Sequence, residues 1–432
     1  MKKIIILMAA SVLAAGSAFA QQSFRSAYFL DGYNHRHEFN PAFASRTSYF
    51  SVPVISAFNL ETQSNLGVST FLYPVNGKLT TFMNSSVSAD EFLGKLDPEN
   101  RLNLNNRISL FSLGIKSRKS FLTFDAGMKT TTDVNLPYGL FDFMKNAGKY
   151  QQYEISDISA KIDSRLEFAL GYSRQVSDRL NVGARVKFLV GIANIEANID
   201  RMSIQMNEDK WLIQSQGTLK SSSFMDIKTK GESGAEISDP SDKDLLDFDS
   251  IEATEDGSLI SGFGAAIDLG AEMEVIDGLK ISFAVNDLGY MSWKNTISAQ
   301  TSGKGWSFEG FDEVALDGDK ENSLKKQFED LTDDMMDMFD FRRTEKDGTN
   351  GGMISATINA GGYTWTEARL FANLKPARWF SCGVNYAVSK FGSTMGAVIG
   401  FHTSGFSMFV GSDHLNFKLA KANGSLLYPY ER

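Results

Sequence analysis

The chain has 432 residues, 42 % of them hydrophobic and 12 % aromatic, with a formal net charge of −9 and one cysteine. The acidic balance argues against nucleic acid as a partner, and the lone Cys382 cannot form an internal disulfide. A soluble chain of this length would fall into two or three domains, yet no linker or composition break divides it.

Residues 1–20 read as a secretory signal peptide. Lys2 and Lys3 form its charged start, Ile4 to Ala15 its apolar stretch, and Ala18-Phe19-Ala20 its small-x-small cleavage site. No cysteine stands directly after the cleavage site, which argues against a lipid anchor. No later stretch approaches the ~20 apolar residues of a spanning helix. An exported chain of this kind is soluble in the periplasm, secreted, or a β-barrel.

Residues 21–46 carry Tyr28, Phe29, Tyr33, Phe39 and Phe43 around Asn40-Pro41-Ala42. Within them, His35-Arg36-His37-Glu38 places two histidines at i and i+2 with no further histidine nearby. That set is too small for a tetrahedral metal site, so a solvated loop is expected and no metal.

From residue 47 onward one pattern recurs. Leu122, Phe124, Ala126 and Met128 alternate with Thr123, Asp125, Gly127 and Lys129. Leu166, Phe168, Leu170 and Tyr172 alternate with Arg165, Glu167, Gly171 and Ser173. Val182, Val186 and Phe188 alternate with Asn181, Arg185 and Lys187. Phe263, Ile267 and Leu269 alternate with Gly264, Asp268 and Gly270, and Leu279, Ile281, Phe283 and Val285 continue the pattern after Ile276-Asp277-Gly278. Cys382, Val384 and Tyr386, then Met395, Ala397 and Ile399, repeat it. Side chains alternate faces along a strand. Repeated segments of about ten residues with one apolar face predict an all-β fold, an antiparallel transmembrane β-barrel with apolar residues outward and polar ones inward.

Short connections at residues 117–120, 175–179, 276–278, 375–378 and 403–405 would face the periplasm, and long loops near 133–152, 207–258 and 300–352 the outside. Ile199–Met206 and Trp211–Leu219 then read as a hairpin above the membrane. A closed wall of about 12 to 14 strands is expected. Leu427 to Arg432 supply no final apolar strand, so either the closure is atypical or the last strand lies beyond this sequence. The second is expected, because an open edge in lipid is costly.

Three further segments stand out. Leu324, Phe328, Leu331, Met335 and Met338 form one stripe of an amphipathic helix in a long loop. It reads as a rim-packing helix, or as a lid with an adaptable methionine surface. The segment from Asp226 to Asp256 is dense in acids without a calcium-loop pattern, and a solvated loop is expected there. Arg185, Lys187, Asp268, Glu272 and Glu274 should form a charged ladder in the lumen, holding strands in register or orienting a ligand. No nucleophile elbow, zinc motif or phosphate loop occurs, so neither an enzyme nor a cofactor is expected.

The Asn40-Pro41-Ala42 segment before the first strand, following Arg25-Ser26-Ala27-Tyr28, resembles the hatch of the outer-membrane long-chain fatty-acid transporter superfamily. Within it the chain is more similar to Bacteroidota outer-membrane barrels of unassigned function. It shares with them Asp268-Leu269-Gly270, Asn286-Asp287-Leu288-Gly289 and Phe409-Val410-Gly411-Ser412-Asp413. The resemblance implies a lumen hatch over residues 21–46, with Phe39, Asn40, Pro41, Ala42 and Phe43 at its centre, and a barrel over residues 47–432. It also implies a protein of the Gram-negative outer membrane that passively transports or binds small hydrophobic molecules. The alternative is a non-transporting docking or structural protein for secreted or envelope partners, and a third reading is a soluble periplasmic all-β protein.

Overall fold

The computed structural model describes residues 33–429 apart from 46, 52–57, 76–77, 208–210, 238, 255–256, 277–278, 304, 309–338, 355–358, 361–362, 365–366, 378, 390–391, 403–406, 413–418 and 422–426. The signal peptide, residues 21–32 and the helix stripe from Leu324 to Met338 lie outside the described residues.

The chain is an antiparallel all-β protein. Its strands are β1 (Tyr49–Ser51), β2 (Phe58–Ser64), β3 (Leu72–Val75), β4 (Lys78–Thr81), β5 (Glu99–Ser117), β6 (Ser120–Pro137), β7 (Gln152–Ser177), β8 (Leu180–Met206), β9 (Trp211–Ser223), β10 (Met225–Thr229) and β11 (Leu246–Ala253). They continue with β12 (Gly262–Ile276), β13 (Leu279–Thr301), β14 (Trp306–Phe308), β15 (Phe341–Ile354), β16 (Asn359–Ala360), β17 (Tyr363–Thr364), β18 (Glu367–Ala377), β19 (Phe380–Ser389), β20 (Gly392–His402), β21 (Ser407–Ser412), β22 (Leu419–Lys421) and β23 (Leu427–Pro429). One sheet joins β5, β6, β7, β8, β12 and β13 edge to edge, with β1 and β2 sharing the outer side of β5 and β15 pairing with β13. Among the described residues β18 to β21 form a second, four-stranded meander. No described helix is long and apolar enough to cross a membrane.

The wall is inside out relative to a soluble sheet. Leu170 is 56 % exposed, Val186 61 % and Phe283 70 %, whereas Asp268 is 0 % exposed, Arg185 1 % and Glu167 2 %. Burying apolar surface gains about 25 cal/mol per Å², so a wall in water would turn these rows inward. Hydrocarbon removes that drive and makes the charged face the one to be enclosed. The apolar rows are continuous across strands: Leu170 stands opposite Val186, and Val186 opposite Ile267. This is the wall of a transmembrane β-barrel.

β7 and β8 run 26 and 27 residues, far beyond the roughly 9–11 that a membrane crossing needs. Above the crossing the pattern reverts to that of a soluble protein. Met202, Ile204 and Met206 of β8 are buried, while Arg201 and Gln205 face water. With Tyr153, Ile155, Ile213, Leu246 and Phe341 they make one apolar core. The residues expected as an upper hairpin are therefore the top of β8 and β9, which pair from Ala193–Ser223 to Met206–Trp211 and also take in the end of β13. A second core, Tyr73, Phe82, Val87, Phe92, Leu93 and Phe141, joins the β3–β4 hairpin to α1 (Ala89–Leu93) and α2 (Tyr138–Asn146).

The acidic segment is not the solvated loop expected of it. It contains β10, α3 (Lys230–Ser233), a 3-10 turn (Pro240–Asp244) and β11. Its acids meet the basic start of β15: Asp242 pairs with Arg342 at 2.7 Å, Asp226 with Lys346 at 2.9 Å, and Glu232 with Arg343. Sequence spacing cannot show that Arg342, Arg343 and Lys346 return about a hundred residues later to neutralise it.

Candidate functional site

The charged face of the wall and the segment from Tyr33 to Ser45 meet in one buried network. Cross-strand register builds its wall half. Arg185 of β8 stands directly opposite Asp268 of β12 and donates to it at 3.1 Å, while its other nitrogen donates to Asp125 of β6 at 3.0 Å. Lys187 reaches Asp268 at 2.8 Å and also pairs with Asp287. Asp287 takes a second cation, Lys129, at 2.8 Å. Arg107 donates to Glu167 at 2.8 Å, and Arg165 donates to Glu167 at 3.1 Å.

A bulge aims Asp287. The β12–β13 register slips between Ile267 and Leu269, and Asp287 has a φ of 61°, in the left-handed region that Asp tolerates better than most residues. The extra residue brings Asn286 and Asp287 to the polar face. Asp287 accepts from Lys129 and Lys187, and the Asn286 amide donates to the Phe39 carbonyl at 2.8 Å. The Asn286-Asp287-Leu288-Gly289 stretch thus has a structural reason to be spelled as it is.

The segment itself starts with a 3-10 turn, Asn34–Glu38. His35, Arg36 and His37 are buried there, which corrects the expectation of a solvated loop. Isolated from its docking wall, the tetrapeptide is simply polar; against the wall each member finds a partner. His37 Nε2 sits 3.0 Å from both carboxylate oxygens of Asp125, and its Nδ1 is 3.1 Å from the Asn34 carbonyl. Glu38 accepts from Arg107 at 2.9 Å. Burial alone would push its carboxyl up, but the Arg107 guanidinium and the His35 ring hold it below its ordinary value. Arg36 approaches Glu272 at 3.8 Å and covers the Phe43 ring at 4.4 Å.

Asn40, Pro41 and Ala42 are buried completely or nearly so. The Asn40 amide donates to the carbonyls of Ala271 and Phe283, both at 3.2 Å, and its oxygen accepts from the Ala42 N–H at 2.9 Å. Asparagine fits because it supplies donors outward and an acceptor inward at once. Proline brings no N–H that would need a partner. The wall answers with glycines. A Cβ on Gly270 would fall 2.0 Å from the Asn40 oxygen, and one on Gly183 2.2 Å from the Pro41 carbonyl oxygen. Two strands lack side chains where the three-residue motif lies on them.

His37, Glu38 and Asp125 bring ligand atoms within 4.8 Å of one another. The two carboxylates already hold guanidinium groups, Glu38 that of Arg107 and Asp125 that of Arg185, so a metal would find their charge compensated. The cluster acts as a bolt between segment and wall.

Of the residues expected to form a ladder, the structure brings Arg185, Lys187 and Asp268 together. Glu272 stands apart from them, receiving Asn181 at 3.1 Å near Arg36, and Glu274 lines a cleft at the short-turn end. Sequence reading did not select Arg107, Lys129, Arg165, His37 and Glu38 as site residues. Charge at inward parity on β5, β6 and β7 was the signal for the first three.

Among solved structures the chain is similar to the Pseudomonas putida toluene transporter TodX, at 8 % identity and a TM-score of 0.28, over 89 % of this chain and 86 % of that one. No curated protein matches the sequence. A family model does match, over residues 41–362 and 346–413, and the chain belongs to that family of unknown function, DUF5723.

Proposed function

We propose that the protein is an outer-membrane β-barrel that binds or passes small hydrophobic molecules, with residues 33–45 closing the lumen until they are displaced. The seating of that segment carries this reading. It is held by ion pairs, hydrogen bonds and glycine sockets rather than by a deep apolar core, so its release exchanges buried polar contacts for hydration instead of exposing apolar surface. The aromatic residues it contributes, Tyr33, Phe39 and Phe43, supply apolar contact that the charged wall lacks. The long-chain fatty-acid transporter resemblance of Asn40-Pro41-Ala42 points the same way.

A second reading, a docking or structural barrel for secreted or envelope partners, draws support from the two packed cores above the membrane and from the charged network that ties the segment to the wall.

Reconstituted liposomes separate the two. Gly183→Ala forces a Cβ against the Pro41 backbone and should lift the segment while leaving an extended strand able to accept alanine. On the transport reading, uptake of a hydrophobic fluorescent probe rises about tenfold or more over wild type, on the scale of a 1.4 kcal/mol population shift. Uptake at the level of protein-free vesicles for both proteins, with both correctly folded, would sink it and leave the docking reading.

A further inference from the structure

We propose that the short-turn mouth of the barrel holds a binding site for a small oxyanion, a carboxylate or phosphate group, entering from the periplasmic side. This goes beyond the transport reading and does not depend on it. A cleft of about 470 Å³ opens there between the wall and the seated segment. Its cationic lining is Arg36, Lys116, Arg118, Lys119, Arg174 and Arg179, against three carboxylates, Asp178, Glu272 and Glu274. Glu272 is already occupied by Asn181 and Arg36. Lys116, Arg118, Lys119 and Arg174 make no ion pair among the described residues.

The fold builds this excess. Lys116, Arg118 and Lys119 sit on the β5–β6 turn, and Arg174 and Arg179 flank the β7–β8 turn. The Gln175 N–H donates to the Lys119 carbonyl at 2.8 Å, which holds the two turns side by side. A structural ion-pair network would alternate sign, as the wall above does; here five cations and one acid, Asp178, are gathered on adjoining turns. Ser173 supplies an independent sign. It lines the cleft, is 3 % exposed, and its hydroxyl has no hydrogen-bond partner among the described residues. Buried hydroxyls are ordinarily paired, and an oxyanion would accept from it. Arginine forks and lysine ammonium groups around one polar donor suit carboxylate and phosphate alike. Arg36, Phe43, Ala44 and Ser45 of the segment form one wall of the cleft, so an occupied site favours the seated segment.

The test is isothermal titration of the full chain in non-ionic detergent with inorganic phosphate and with succinate, at fixed ionic strength set by chloride. Saturable binding of either is expected, weakened about tenfold or more in Lys116→Gln/Arg174→Gln. Saturation by phosphate alone assigns the ligand to phosphorylated compounds, and by succinate alone to carboxylates. The absence of saturation by both would overturn the proposal. So would unchanged binding in the double variant, once its heat-modifiable migration shows that it is folded.

Discussion

Asp125 is the residue on which the lumen network turns. It accepts from His37 of the segment, from Arg185 of β8, and from Ser112 at 2.6 Å, whose hydroxyl is 2.9 Å from that of Tyr49. Replacing it by asparagine keeps the shape and removes the negative charge that His37 and the Arg185 guanidinium face. Breaking a buried pair by removing one partner typically costs about 3–5 kcal/mol. Arg185 retains Asp268, so the expected loss for Asp125→Asn is at the low end, about 3 kcal/mol, read as a fall in the urea midpoint of the detergent-folded chain. Glu274→Gln, at the wet mouth, should cost about 0–1 kcal/mol. Equal midpoints for the two variants would mean that the network is ornamental to stability. The inward placement of Asp125 was legible from alternation with Phe124 and Ala126. Its bond to His37 was not, because the two are joined only by the docking of one segment on another, 88 residues apart.

At the scale of elements, single strands serve two solvents. The lower part of β8 follows the membrane rule and its upper part the rule of soluble cores. Ile204→Ala removes a side chain that is 1 % exposed from the upper core, and such deletions cost about 2–5 kcal/mol. The damage should stay above the membrane. Hydrogen exchange is expected to quicken in β9 and at the start of β7, while residues 182–190 keep their protection; equal loss in both would show one cooperative unit instead of two. The α3–β15 contact offers a pH test in the same region. Arg343 hydrogen-bonds Glu232 and holds its carboxyl down from 4.5 to about 2. A depressed carboxyl contributes stability above its unfolded value and loses it as pH falls, here from about 4.5 towards about 2. The Glu232 side chain is more than a third exposed, so solvent screening limits the contribution to about 1 kcal/mol or less. Comparing urea midpoints at pH 5 and pH 3, Arg343→Gln should remove that part of the difference seen in wild type.

For the molecule as a whole, the decisive question is what touches the apolar face. Alternation in β6, β7, β8 and β12 was readable because a strand's period of two survives whatever surrounds it. The upper cores were not readable from the same signal. Met202, Ile204 and Met206 alternate just as Val182, Val186 and Phe188 do, and only burial separates the two rows. The Asp287 bulge and the glycine sockets were equally hidden, since both depend on a neighbour's backbone. Val186 turns that ambiguity into a measurement. It is 61 % exposed and lies between Leu170 and Ile267 on neighbouring strands. Some seven residues up from the β7–β8 turn, at about 3.3 Å each on a tilted strand, it stands roughly 15 Å from the mouth, near mid-membrane. In a sheet whose outer face met water, Val186→Arg would fall within about 0.5 kcal/mol of neutral. In hydrocarbon an arginine at that depth costs about 2–4 kcal/mol. Folding into phosphatidylcholine vesicles should therefore drop sharply for Val186→Arg. Gln205→Arg, on the wet outer face of the same strand, should fold as wild type does. If both variants fold alike, something other than lipid covers the Leu170–Val186–Ile267 row.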